Sequence, residues 1–135
     1  MTVGAAGALN VILHSILDPD DEVVIFKPFF PEYQFYVDNH QGVSVFCDYN
    51  ESFEPSMESF KSLINKKTKA IILNSPNNPT GITYSANTIH KIVNLVKEYE
   101  KNLNLFLGVD ARYPTHAMIS AINGNVNKVS IKSFI

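Results

Sequence analysis

The chain of 135 residues has no tryptophan, a single cysteine and a formal net charge of only −2, from 11 basic and 13 acidic side chains. Each shortage excludes something. A lone Cys47 allows neither an internal disulfide nor a cysteine-based zinc site, and it fits a reducing compartment. Near-neutrality, with no block of five like charges, leaves no electrostatic footprint for nucleic acid. Lys66, Lys67 and Lys69 read as a solvated helix end. His14, His40, His90 and His116 lack metal-ligand spacing, so no metal site is expected. No apolar run approaches the roughly 20 residues that cross a bilayer. Met1-Thr-Val-Gly-Ala-Ala-Gly has no basic region ahead of its apolar stretch, so it does not read as a signal peptide. Asn50-Glu51-Ser52 has the pattern of a glycosylation acceptor, but nothing secretory stands beside it. Neither a membrane nor nucleic acid is an expected partner, and the setting reads as cytoplasmic.

What is present is a globular mixture, 45% hydrophobic, 18% charged and 11% aromatic, which excludes disordered and fibrous classes. The length sets one domain at most, large enough to bury a core. Residues 4–17 carry Leu9, Ile12, Leu13, Ile16 and Leu17 at helical spacing, and Asp18-Pro19-Asp20-Asp21 stops that helix. Short apolar runs of strand length follow at 22–27, 43–47, 69–73 and 103–109. Between them lie helical patterns near 31–39, after the N-cap candidate Ser56, and at 86–100, where Ile89, Ile92, Val93 and Val96 form a stripe. Alternating strands and helices at this spacing predict an α/β fold with a mostly parallel sheet. The continuous apolar strands predict helices on both faces, a three-layer α/β/α arrangement. Beyond Tyr113 the pattern dissolves.

In parallel sheets ligands collect at the carboxyl ends of the strands, which selects 28–33, 48–53, 74–81 and 110–113. The loop Asn74-Ser-Pro-Asn-Asn-Pro-Thr-Gly81 cannot be regular structure, because two prolines, a glycine and three asparagines fall within eight residues. By composition alone it is a stiff turn. Its order, after an apolar strand, resembles the signature loop of the class I/II aminotransferases, the pyridoxal-phosphate enzymes sharing the aspartate aminotransferase fold. Three more segments are similar to that family in the right order. Thr2-Val-Gly-Ala-Ala-Gly-Ala-Leu9 resembles its phosphate-cup segment, where a helix start with small residues offers free amides and a favourable dipole to an anion. Asp20 to Pro28 (DDEVVIFKP) is similar to its strand, with Phe30 falling where relatives place a ring over the cofactor. Asp110-Ala-Arg-Tyr113 resembles its D-x-x-Y.

The resemblance implies pyridoxal 5'-phosphate as cofactor, and an amino acid and a 2-oxo acid as substrates. It also implies a homodimeric full-length parent. Residue by residue, it makes Asp110 the carboxylate that keeps the pyridine nitrogen protonated, and Asn78 and Tyr113 donors toward the phenolate oxygen. Phe30 becomes the stacking ring, and the Ala5 and Ala6 amides the phosphate seat. Asp110 and Tyr113 are the candidate catalytic residues, and Asn77 is the one that holds the loop. The family's Schiff-base lysine sits in a Ser-x-Ser-Lys segment followed by Arg-x-Gly. Here Ser130-Ile-Lys132 lacks the second serine and no arginine follows Arg112, so neither Lys128 nor Lys132 takes that role. Residues 1–113 are expected to be a partial cofactor-binding large domain, and 114–135 a divergent tail. The expectation is a truncated, by itself inactive piece of an aminotransferase. Open beside it stand a non-catalytic remnant and another enzyme of the same fold and cofactor (lyase, decarboxylase or synthase). A plain nucleotide-binding α/β domain is a further reading, against which the missing dinucleotide fingerprint argues. The family's strand order would place 104–109, 70–74, 22–27 and 43–47 side by side, leaving 104–109 at a bare edge that invites self-association.

Overall fold

A computed structural model describes residues 4–100, 106–110, 120–121 and 130–131. In chain order the elements are α1 (Gly4–Ile16), β1 (Glu22–Phe26), α2 (Glu32–Asp38), β2 (Val43–Cys47), α3 (Met57–Leu63), β3 (Thr68–Asn74), α4 (Ala86–Glu100), β4 (Phe106–Asp110), β5 (Ser120–Ala121) and β6 (Ser130–Ile131). The strands form one sheet in the order β2-β1-β3-β4-β5-β6. β1 to β4 pair in parallel, in the order expected from the sequence.

Alternation along the two central strands explains the layers. Val23 and Ile25 of β1 join Ala70 and Ile72 of β3 in a cluster with Leu9 and Leu13 of α1 and Tyr33 and Val37 of α2. Val24 and Phe26, with Ile71 and Leu73, point the other way, into a second cluster with Phe60 of α3 and Ile92 and Val96 of α4. Successive strand residues face opposite sides, so a strand buried on both faces must be apolar throughout. Each fully buried aliphatic side chain contributes about 1.5–3 kcal/mol, and β3 buries six of its seven residues. Helices therefore cover both faces.

Helix ends follow local chemistry. Ser56 caps α3, its hydroxyl accepting from the Ser59 amide at 3.3 Å. Gly42 opens β2 where a Cβ would stand 2.9 Å from Leu17 Cδ1 and from Val37 Cγ1, and 3.3 Å from the Asp21 carbonyl. Only glycine lets the chain turn there without displacing a neighbour.

Two expectations change. β4 is not an edge: β5 pairs with it antiparallel, Phe106 opposite Ala121 and Leu107 opposite Ser120, and β6 continues the sheet. The sequence beyond Tyr113 contributes these two strands because two-residue strands leave no period-2 pattern to read.

Candidate functional site

β3 ends at Asn74, and the loop that follows is organised by one side chain. The Asn77 amide nitrogen donates to the Pro28 carbonyl at 2.9 Å and to the Tyr84 hydroxyl at 3.1 Å. Its carbonyl oxygen accepts from the Thr80 amide at 3.3 Å and the Thr80 hydroxyl at 2.9 Å. Its backbone amide donates to the Ile82 carbonyl at 2.8 Å. Asn77 thus ties the β3 loop to the β1 loop and to the residues ahead of α4. Gly81, at φ +75°, closes the turn in a conformation that side chains resist. The bonds Lys27–Pro28, Ser75–Pro76 and Asn78–Pro79 are cis. Tyr84 is buried, and burial pushes its hydroxyl up to about 12, against the lowering by its bond from Asn77. It stays a neutral anchor.

Asn78, next along, is half-buried and makes no side-chain hydrogen bond among the described residues. Adjacent asparagines therefore differ: one carboxamide is spent on the loop and its neighbour remains available. Phe29 stacks on Phe46 at 5.0 Å and 4°, committing its ring to packing over the sheet. Phe30 meets Tyr33 edge-on at 5.8 Å and stays half-buried. β1 and β3 are neighbours, so their carboxyl-end loops lie side by side.

α1 leads directly into β1 and packs on the sheet through Leu9 and Leu13. A helix of 13 residues is about 20 Å long at 1.5 Å per residue, at least the reach of the five-residue strand that it precedes. Its amino end accordingly falls toward the carboxyl ends of the strands. Gly4, Ala5 and Ala6 are exposed there, with no acidic residue in the first turn. Such an end offers unpaired amides and a positive dipole. In the ladder, Asp110 stands opposite Asn74 at the carboxyl ends of β4 and β3. Tyr113, Lys128 and Lys132 lie outside the described residues.

Two residues that sequence reasoning passed over matter here. Asn74 is only 5% exposed, and its amide donates to the Tyr33 hydroxyl at 3.0 Å. Its carbonyl oxygen is buried without a hydrogen-bond partner. The available signal was an asparagine ending an otherwise apolar strand. Elsewhere the titratable groups look structural. Burial pushes the Cys47 thiol up to about 11, which makes it unreactive. The Lys27 ammonium pairs with Asp48 at 2.8 Å, and that hydrogen bond raises it. No group of three or more His, Cys, Asp or Glu side chains among the described residues could hold a metal ion. No helix among them is long and apolar enough to cross a membrane.

The fold and the clustered loops define a class: a doubly wound α/β domain with a helix start, an unspent amide and an aromatic ring at one end of a parallel sheet. The family model for "Aminotransferase class I and II" matches residues 1–115, and the chain belongs to that family. It is 40% identical over 102 residues to an aspartate aminotransferase of Sulfurisphaera tokodaii, covering 73% of this chain and 26% of that protein. A probable aspartate aminotransferase of Methanocaldococcus jannaschii is 36% identical over 113 residues, covering 84% and 29%. Among solved structures, an amino transferase from Eubacterium rectale superposes with a TM-score of 0.80 at 33% identity, over 83% of this chain and 29% of that one. Aspartate aminotransferase from Thermus thermophilus with maleate superposes at 0.77 and 35%, over the same shares. The chain spans less than a third of the length of these relatives.

Proposed function

We propose that these residues form the cofactor cradle of a pyridoxal 5'-phosphate-dependent aminotransferase, which passes an amino group from an amino acid to a 2-oxo acid. The observation that carries the reading is the division of labour in the β3 loop. Asn77 spends its whole carboxamide holding the loop, and Asn78 keeps its amide as a donor. The remaining groups suit the same occupant. A helix start free of acidic residues suits a phosphate, through the Ala5 and Ala6 amides. Phe30 offers a ring for stacking, worth about 1 kcal/mol beyond buried area. Asp110, at the carboxyl end of β4, serves as the carboxylate that holds a ring nitrogen protonated, and Asn78 and Tyr113 donate toward a phenolate oxygen. When bound, the cofactor supplies the electron sink for carbanion chemistry at the amino acid's α-carbon.

The segments that the resemblance assigns to the covalent lysine and the carboxylate-gripping arginine have no counterpart in these 135 residues. For this chain by itself the reading is therefore weak, non-covalent retention of the cofactor and no turnover. The parent enzyme is read as a cytoplasmic homodimer. Aspartate is the first amino donor to try, since relatives at 40% and 36% identity are named for it.

Titration of the purified chain with pyridoxal phosphate, followed by absorbance, tests the cradle. A saturable spectral change is expected, weakened about tenfold by Asn78→Ala or Asp110→Ala, the loss of one charge-assisted or well-placed hydrogen bond. No saturable change in the wild type, or none of the variants weakening it, would overturn the reading.

A further inference from the structure

Two imidazoles that the sequence keeps apart meet in the fold. His14 lies in the last turn of α1 and His40 just past the end of α2. Their ring centres stand 5.2 Å apart, with the planes tilted by 52°. Spacing along the chain could not show this, because the two belong to different helices. Contact between two rings is ordinary packing. What marks this pair is the residue beside it.

Asn10 stands one turn before His14, on the same face of α1. Its side-chain nitrogen donates to the Ala6 carbonyl at 3.0 Å, which fixes the end of the carboxamide that is oxygen. That oxygen lies 3.3 Å from His40 Nε2. A carboxamide oxygen only accepts, so Nε2 carries the hydrogen, and in the neutral ring Nδ1 keeps its lone pair. Metal-ligating histidines share this arrangement: one nitrogen donates to an oxygen, which fixes the tautomer and raises the basicity of the other. His14 is exposed and has no hydrogen-bond partner among the described residues.

Separation and charge both suit a cation. At a zinc–nitrogen distance of about 2.0–2.1 Å and a tetrahedral angle, two coordinated imidazoles have their centres about 5 Å apart. The pair matches that at 5.2 Å. The last turn of α1, where His14 sits, is the negative end of the helix dipole and favours positive charge. The two backbones are also held in place by their own packing. Leu13, next to His14, shares a buried cluster with Val37 of α2. The amides of His40 and Gly42 both donate to the Val37 carbonyl at 3.1 Å. Ligands on elements fixed in this way are already close to their working geometry.

We propose that His14 and His40 form a two-imidazole site for a divalent transition-metal ion of the zinc, copper or nickel kind, with Asn10 as the positioning residue that sets the His40 tautomer. Water completes the coordination, since no third His, Cys, Asp or Glu joins them among the described residues. The ion clamps the end of α1 to the end of α2. The site lies at the opposite end of α1 from Gly4, and it does not rest on the proposed function.

Calorimetric titration of the untagged chain with zinc is the first test. One saturable site is expected, lost in His14→Ala and in His40→Ala. It should be kept in His90→Ala, whose ring is exposed on α4. No saturable site in the wild type, or a site that survives in either of the first two variants, overturns the proposal. Asn10→Ala should weaken zinc about tenfold, and Asn10→Asp, which restores an acceptor, should recover the affinity. Unchanged affinity in Asn10→Ala overturns the positioning role. The clamp has its own readout. Zinc should raise the urea midpoint of the wild type above its value in chelator, because the ion binds the folded chain, and should leave His14→Ala unmoved. An equal rise in both overturns the clamp. Should a histidine variant fail to fold, paramagnetic nickel added to the wild type decides. It should broaden the ring resonances of His14 and His40 at concentrations that leave His90 sharp, and equal broadening of all three overturns the site.

Discussion

Neighbouring residues of one type can have opposite physical duties, and the pair Asn77–Asn78 shows how to tell them apart. Asn77 is 4% exposed with four side-chain hydrogen bonds, two of them to groups outside its own loop. Removing it strands the buried Tyr84 hydroxyl and the Pro28 carbonyl. Asn77→Ala should therefore destabilise the chain by about 2–3 kcal/mol, the cost of leaving buried partners unsatisfied. Asn78→Ala should stay within about 0.5 kcal/mol of wild type, because no described group depends on it. Urea denaturation of the two variants checks the contrast, and equal losses would contradict the assignment of the loop to Asn77. At this scale the sequence is only partly legible. The motif order marks the loop and its asparagines, but which carboxamide is spent depends on Tyr84 and Pro28 coming together. Asn74 escapes for the same reason, since its importance arises from Tyr33, 41 residues away in the chain.

Among the elements, α4 shows how a helix start is pinned from outside. Ser85 caps it through the Thr88 amide at 3.1 Å. Glu54, from the turn after β2, accepts from the Ser85 amide and the Thr88 hydroxyl, both at 2.7 Å. The carboxylate thus satisfies an amide that the helix itself cannot, and it sits at the positive end of the dipole. Thr88 first, and the Ser85 amide next, hold the Glu54 carboxyl below its ordinary range. The unfolded chain then binds that proton at a higher pH than the folded one. The stabilisation is fully present above the unfolded value of about 4.3 and is lost as pH falls through the lower folded value. Glu54→Gln should lower stability at pH 7 by about 1 kcal/mol, a modest figure because solvent reaches the carboxylate. It should also flatten the fall in stability between roughly pH 5 and pH 3. Denaturation midpoints at three pH values decide this, and parallel curves for wild type and variant would remove Glu54 from the cap.

For the whole molecule, the doubly wound design was the most legible feature, because it is written in composition rather than in partners. Strands without polar alternation need cover on both faces, and helical stripes between them supply it; β1 and β3 divide alternate residues between the two clusters as that logic requires. What the sequence could not show was how the sheet continues past β4. An apolar strand such as Phe106–Asp110, left at an edge, presents a row of unpaired amides and carbonyls to other molecules. β5 pairs with it instead, through only two residues, and β6 pairs with β5 in turn. A cover of two residues is a short ladder that the loss of backbone donors can break. Proline lacks the amide hydrogen and is excluded from the middle of a sheet. The double substitution Ser120→Pro with Ala121→Pro should therefore strip the cover whichever of the two amides faces β4. The expected outcome is concentration-dependent association on sizing chromatography, the double variant eluting earlier than the wild type at the same concentration. Suppression of that association by a charge at the newly bared strand, Leu107→Lys, would locate it at β4, since charged edges resist pairing. If the double variant elutes as the wild type does at every concentration, β5 is not what keeps β4 from other chains.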